Sequence, residues 1–255
     1  MEEILRQFDP ITLDEMSGIR LMNRTDTKFV TTRPMLEQLL LMAAPQYYVQ
    51  DIDGRRLADY YTVYFDTPDC HMYTVHETGH TNRQKLRVRS YVDSHLNFLE
   101  VKTKNNRGRT RKKRVSLDDF NPDDNARFSI LDRQFADFLA ENLRYAPERL
   151  SRQLENRFHR ITLVNKGKTE RLTIDTDLAF HNLATDERRL MGDIVIIELK
   201  RDGLVASPIL ALLRQLRIKP HGFSKYVVGS ALTNDALHCN RLKPKLHDIQ
   251  KMLNQ

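Results

Sequence analysis

Between Arg83 and Lys104 the chain alternates charge with hydrocarbon at every second residue. Lys85, Arg87 and Arg89 are separated by Leu86 and Val88, and Glu100, Lys102 and Lys104 by Val101 and Thr103. A period of two sends successive side chains to opposite faces of a β-strand, whereas a helix would scatter these charges around its circumference. The same alternation marks Asn23–Val30 (Arg24, Asp26 and Lys28 on one face), Arg171–Asp177 and Asp193–Lys200, where Glu198 and Lys200 oppose Val195, Ile197 and Leu199. Further strands are predicted at Asp59–Asp66, Arg111–Leu117 and Arg157–Val164. Apolar residues at three- and four-residue steps predict helices at Pro34–Ala44, Phe128–Leu143, Pro208–Arg217 and Tyr226–Leu237. Strands and helices do not alternate regularly, so an α+β fold on an antiparallel sheet or barrel is expected.

The charge is concentrated. The 255 residues carry 41 Lys and Arg against 34 Asp and Glu, a formal +7, yet the window Arg83–Arg114 holds twelve bases and two acids. That window is +10 and the remainder of the chain −3. One basic block in a mildly acidic body calls for a polyanionic partner: nucleic acid, a phosphoinositide surface or a chain of phosphates. Within the block, Arg107–Arg114 has a glycine and no apolar residue, and is expected to be a partly disordered loop that steers anions.

With 40% hydrophobic and 29% charged residues, and nine each of Gly and Pro, the chain is expected to form one globular domain over residues 1–255. Cys70 and Cys239 have no CxxC spacing, which argues against a zinc knuckle or disulfide framework. No apolar run approaches the ~20 residues of a membrane helix, and Met1–Asp9 does not read as a secretory signal. A cytoplasmic location is expected.

A merely wet sheet face carries charges of mixed sign. Here two successive strands present Lys85, Arg87, Arg89, Lys102 and Lys104, with Glu100 the sole acid among them. Like charges on neighbouring strands repel unless an anion lies between them, and a barrel interior would gather them around one. The pattern favours such an interior over a wet face. Glu100-x-Lys102 and Glu198-x-Lys200 read either as same-face ion pairs or as carboxylates holding Mg²⁺ or Mn²⁺ beside a phosphate clamp.

The order Arg24-x-Asp26-x-Lys28, Tyr64-Phe65-Asp66-Thr67, Lys85-x-Arg87-x-Arg89, Glu100-x-Lys102, Glu198-x-Lys200 and Ser224-Lys225-Tyr226 resembles the triphosphate tunnel metalloenzymes. It is most similar to their VTC branch, the catalytic domain of the vacuolar transporter chaperone polyphosphate polymerase. The resemblance runs from about Arg24 to Tyr226. It implies an antiparallel eight-stranded β-barrel, flanked by helices, whose interior holds triphosphate or polyphosphate with Mn²⁺ or Mg²⁺. On the same resemblance Lys85, Arg87, Arg89, Lys200 and Lys225 are catalytic cations. Arg24, Lys28, Lys102, Lys104 and Ser224 contact substrate, as does Arg160 in Phe158-His159-Arg160, with Arg157 a competing register. Glu198 and Glu100 are the candidate metal ligands. Arg24-Thr25-Asp26-Thr27-Lys28 stands where the triphosphatase and cyclase branches have ExExK, which points to the polymerase-like branch. The fungal polymerase subunits also carry a regulatory domain and membrane spans, so membrane coupling is expected to need a separate membrane-protein partner.

Three functions follow. ATP could give its γ-phosphate to a growing polyphosphate; triphosphate or polyphosphate could be hydrolysed in the same tunnel; or the chain could be a nucleic-acid-binding module. The basic strands lack the aromatic interleaving of single-strand binders, which argues against the last. No Ser-His-Asp or Cys-His arrangement competes, and the lone His221 is read as structural. Removing Arg87 is expected to abolish turnover without unfolding, and relief of self-repulsion is expected to stabilise the fold.

Overall fold

The alternating segments become the strands of a single sheet. In the computed structural model, which describes residues 1–17, 19, 24–118, 120–124, 128–203 and 205–253, the side chains of Ser17 and Arg24 lie outside the described residues. The strands are β1 (Asp9–Ile11), β2 (Arg24–Thr32), β3 (Tyr47–Gln50), β4 (Ala58–Asp66), β5 (Arg83–Tyr91), β6 (Leu96–Lys104), β7 (Thr110–Ser116), β8 (Ser151–Asn165), β9 (Glu170–Asn182), β10 (Arg188–Leu190) and β11 (Ile194–Asp202). Eight of them pair antiparallel in the order β2-β11-β9-β8-β4-β5-β6-β7, while β1, β3 and β10 pair off this path. The helices are α1 (Glu2–Leu5), α2 (Leu13–Ser17), α3 (Arg33–Ala43), α4 (His71–Glu77), α5 (Ala136–Asn142), α6 (Pro208–Gln215), α7 (Lys225–Thr233) and α8 (Lys243–Leu253). None of the described helices is long and apolar enough to cross a membrane.

The α+β antiparallel architecture is the one the alternation predicts, and the eight-strand path is present. Its two end strands, β2 and β7, are not hydrogen-bonded to each other, so the sheet is rolled rather than closed into a ring. Two side-chain bonds reveal the roll. Lys28 on β2 donates to the carbonyl of Phe223 at 2.7 Å, and Lys85 on β5 donates to Oγ of the adjacent Ser224 at 2.8 Å. Five strand spacings separate β2 from β5, about 24 Å in a flat sheet. Adjacent residues can serve both strands only if the sheet curves around them.

Each face of the roll has its own apolar cover. Outside, α3 and α6 pack Leu36, Leu39, Ile209 and Leu213 against Phe29, Leu172, Val195 and Ile197. Farther along, Val63, Leu86, Val88, Leu99 and Val101 meet Phe120, Ile130, Phe135 and Leu139. Inside, α7 lays Tyr226, Val227 and Val228 on Tyr64, Leu154 and Phe180. Gly229 makes this approach possible: a methyl there would lie 2.5 Å from Phe180 Cδ1 and 2.8 Å from Leu154 Cδ2.

Two expectations are corrected. Phe128–Leu143 is not one helix; only Ala136–Asn142 is α-helical, after a 3₁₀ turn at Arg133–Phe135. Its apolar residues fill the outer core from an irregular segment, so helical spacing overstated the regularity. Nor is Arg107–Arg114 a loose loop. Asn105 Oδ1 accepts from the backbone N–H of Arg107 (3.1 Å) and Arg109 (3.0 Å), Gly108 takes φ +74°, and β7 starts at Thr110. Lysine and arginine suit an exposed edge strand, where their charge discourages pairing with another chain.

Candidate anion-binding site

Register sets which charges share the inner face. Lys85 stands beside Lys102, which stands beside Lys112; the next rung is Tyr64–Arg87–Glu100–Arg114, and the one after it Thr62–Arg89–Phe98. Lys104 pairs with Arg83 and Thr110 at the end of the ladder. On the other limb, Lys28 and Thr173 flank Glu198, while Asp26 and Arg171 flank Lys200. Arg24 pairs through its backbone with Asp202.

The acids on this face are already engaged by cations. Arg87 donates to Glu100 Oε2 from Nε (2.8 Å) and Nη2 (2.6 Å), and Lys112 reaches Oε1 at 2.9 Å. Burial opposes ionisation of Glu100, but Arg87, Arg89 and Lys112 overcome it and draw its pKa down to about 2. Asp175 receives Arg160 on both oxygens (2.6 and 2.9 Å) and Lys225 on Oδ2. These cations hold it ionised against burial. Arg160 also lies over the Tyr60 ring at 4.6 Å and Lys225 over Phe158 at 4.3 Å.

Other cations have no such partner. No carboxylate lies within ion-pair distance of Lys28, Lys85, Arg89 or Lys102 among the described residues. Arg89 is 9% exposed and its Nε has no hydrogen-bond partner, as is true of the neighbouring Thr62 Oγ1. Burial, then Lys102, Lys28 and Arg87, press Lys85 well below the ordinary lysine value. Lys102 is pushed down to about 8 by burial and by Arg87 and Lys28. Its side chain meets water, yet its charge is hemmed in by protein and by other cations. Lys225 also falls to about 8, because burial outweighs the pull of Asp175. Such a set is short of negative charge, and a bound anion would supply it.

Ser224 and Lys225 reach this cluster because α7 is anchored from below. Asp66 is fully buried and accepts backbone N–H bonds from Thr67 (2.7 Å), Met72 (2.8 Å) and Tyr73 (2.8 Å), and the Tyr226 hydroxyl. One carboxylate thus secures the start of α4 and the first turn of α7. The Asp66-Thr67 and Ser224-Lys225-Tyr226 motifs meet here.

Three placements correct the sequence reading. Arg157 pairs beside Tyr61 on the outer side, lies 4.9 Å over that ring and donates to Asp123 at 2.6 Å; a bulge between Arg157 and His159 separates its register from that of Arg160. Glu100 has both oxygens taken by cations, which makes it first an ion-pair partner. Arg87 is its partner on Oε2, so removing Arg87 would take one of two cations from a buried carboxylate rather than simply relieve repulsion. Three residues went unrecognised as part of the site. Asp175 looked like one polar residue in an ordinary alternation, Lys112 fell where the Arg107–Arg114 loop and the Arg111–Leu117 strand readings overlap, and His76 of α4 sits in a helix too short for periodicity to reveal. Burial, then Lys85 and Arg83, hold His76 far below the usual imidazole range.

Among the described residues no three His, Cys, Asp or Glu side chains gather into a metal cage. Glu198 is the acid that fits a shared ion: Lys200 takes its Oε1 at 2.9 Å, and Lys200 and Lys28 hold it ionised against burial. One carboxylate plus substrate phosphate oxygens is an ordinary donor set for Mg²⁺ or Mn²⁺.

The family described as the VTC domain matches residues 23–234 of this chain. No curated protein sequence matches it. Among solved structures it is similar to a Hippeastrum protein, described as a candidate adenylyl cyclase with a dominant triphosphatase activity, at 16% identity and TM-score 0.51, over 83% of this chain and 97% of that one. A candidate adenylate cyclase from Bacillus halodurans is similar at 12% identity and TM-score 0.49, over 80% of this chain and 96% of that one. The Hippeastrum comparison shows a shared fold.

Proposed function

The chain belongs to the VTC domain family, and on that premise we propose that its rolled sheet binds a chain of phosphates and transfers phosphoryl groups, building polyphosphate from ATP. One observation carries this reading: among the described residues Lys28, Lys85, Arg89 and Lys102 face a common interior without carboxylate partners, and burial, with repulsion from neighbouring cations, lowers the pKa of Lys85 and Lys102. Phosphoryl transfer asks little covalent chemistry of the protein, whose work is to align donor and acceptor and to offset charge on the transferred group. Lys85, Arg89 and Lys102 would grip the non-bridging oxygens. Arg87, fixed by Glu100, and Arg160, fixed by Asp175, would present guanidinium edges that hold their geometry. Ser224 would orient the Lys85 ammonium, and Lys225 would add charge at the start of α7. Bound Mn²⁺ or Mg²⁺, held by Glu198 and phosphate oxygens, would neutralise charge on the reacting phosphate.

Hydrolysis is the second reading, favoured by the triphosphatase activity of the Hippeastrum protein. It differs only in taking water as the acceptor. Incubation with ATP and Mn²⁺, followed by gel separation of the products, distinguishes the two. A ladder of lengthening polyphosphate is expected. Free phosphate without a ladder would replace synthesis by hydrolysis, and neither product would refute phosphoryl transfer.

A further inference from the structure

β7 is basic on both faces. Lys112 and Arg114 face the interior, while Arg111 and Lys113 pair with Thr103 and Val101 on the outer face. There they border a cavity of about 550 Å³, walled also by Arg109, Arg144 and Glu141. Four cations thus meet one acid. The floor is firm: buried Gln84 donates to Thr103 Oγ1 (2.9 Å) and to the Asn142 carbonyl (2.8 Å), and accepts the Arg144 N–H (2.8 Å). Arg144 arrives from the segment after α5, and its guanidinium is held by Asn82 at 2.6 Å. Edge protection accounts for charge on β7 but not for this convergence from a separate element.

The cavity has a neighbour at the end of the inner ladder. A second hollow of about 350 Å³, lined by Asn82, Asn105, Asn106 and Arg107, shares Asn105 with the first. It wraps the turn between β6 and β7, beside the Arg83–Lys104 rung that ends the inner ladder. We propose that this outer groove is a second anion site, which holds the distal part of a long polyphosphate whose other end occupies the interior. The inference rests on the interior being a phosphate site. Proximity to the end of that cationic ladder favours polyphosphate, and the absence of any aromatic residue among the described residues lining either hollow removes the stacking platform a single-stranded nucleic acid would use.

Two linked sites make affinity depend on chain length, since only a long chain reaches both. The test is calorimetric titration of tripolyphosphate, a long-chain polyphosphate and a single-stranded oligonucleotide into the wild type and the Arg109→Gln/Arg111→Gln/Lys113→Gln variant, whose folding is checked by thermal melting. The variant is expected to bind tripolyphosphate like the wild type but long polyphosphate about tenfold or more weakly. A Lys85→Ala/Lys102→Ala variant should show the converse pattern, losing tripolyphosphate while retaining long-chain binding that the outer substitutions then remove. Unchanged long-chain affinity in the outer variant would overturn the groove. Equally tight oligonucleotide binding, lost with the same substitutions, would overturn its assignment to polyphosphate. Failure of the wild type to bind tripolyphosphate would instead strike the interior reading.

Discussion

Burial and the nearby cations Arg87, Lys28 and Arg89 outweigh the pull of Glu198 on Lys102, and its protonation therefore links anion binding to folding in opposite directions. Its pKa is about 8 in the fold against 10.5 for a free lysine. Below about 8 both folded and unfolded chains hold the proton, and the repulsion is fully present. Between the two values the unfolded chain binds a proton that the folded chain has released, so stability of the anion-free protein rises with pH across that window. Affinity for tripolyphosphate falls over the same window, because the ammonium is lost. Denaturant unfolding and titration calorimetry from about pH 7 to about pH 10 should show these opposed trends; parallel trends would mean that Lys102 is not part of a repulsive anion site. Residue placement was legible where charge broke the expected mixture of signs, as at Lys85 and Lys102, which share the inner face. It was not legible at Asp66 or Asp175, because a buried acid reveals itself only by the partners that long-range folding brings to it.

At the level of elements, all eight predicted strands are found, because apolar and charged side chains alternate along a surface that is buried on one side. Helices were harder. α3 and α6 carry clear apolar stripes and a proline in the first turn. α4 has seven residues and is entered through Cys70 at φ +53°, and its start depends on Asp66 from the preceding strand, a contact that no local window contains. α7 is the element through which folding reaches function. It lies close on β8 and β9 only because residue 229 has no side chain, and it delivers Ser224 and Lys225 to the interior. Gly229→Ala would press a methyl into Phe180 and Leu154, neither of which has room to retreat. A loss of about 1–3 kcal/mol is expected, as for other overpacked cores. Displacement of α7 should weaken tripolyphosphate binding as well. A variant with wild-type melting temperature and affinity would show that α7 can shift without consequence.

Across the whole molecule, the sheet rolls so that Lys28 and Lys85, five strands apart in hydrogen-bonding order, bond Phe223 and Ser224. The charge block of the sequence pointed to an anionic partner but not to this roll, which depends on strand order and on the loop before α7. Closure could not be read from alternation either, since period two says which face a residue occupies and nothing about what the last strand pairs with. The central claim is that unpartnered cations inside the roll are waiting for phosphate. Arg89 tests that claim most cleanly, because it is buried and hydrogen-bonds no side chain among the described residues, although it feels the charges of Arg87, Arg160 and Glu100. Titration of tripolyphosphate into the wild type and Arg89→Leu, with unfolding measured alongside, tests it most directly. The account predicts that Arg89→Leu is at least as stable as the wild type without anion, yet binds tripolyphosphate about tenfold or more weakly. Undiminished affinity, with stability lost instead, would contradict it and make Arg89 a structural residue.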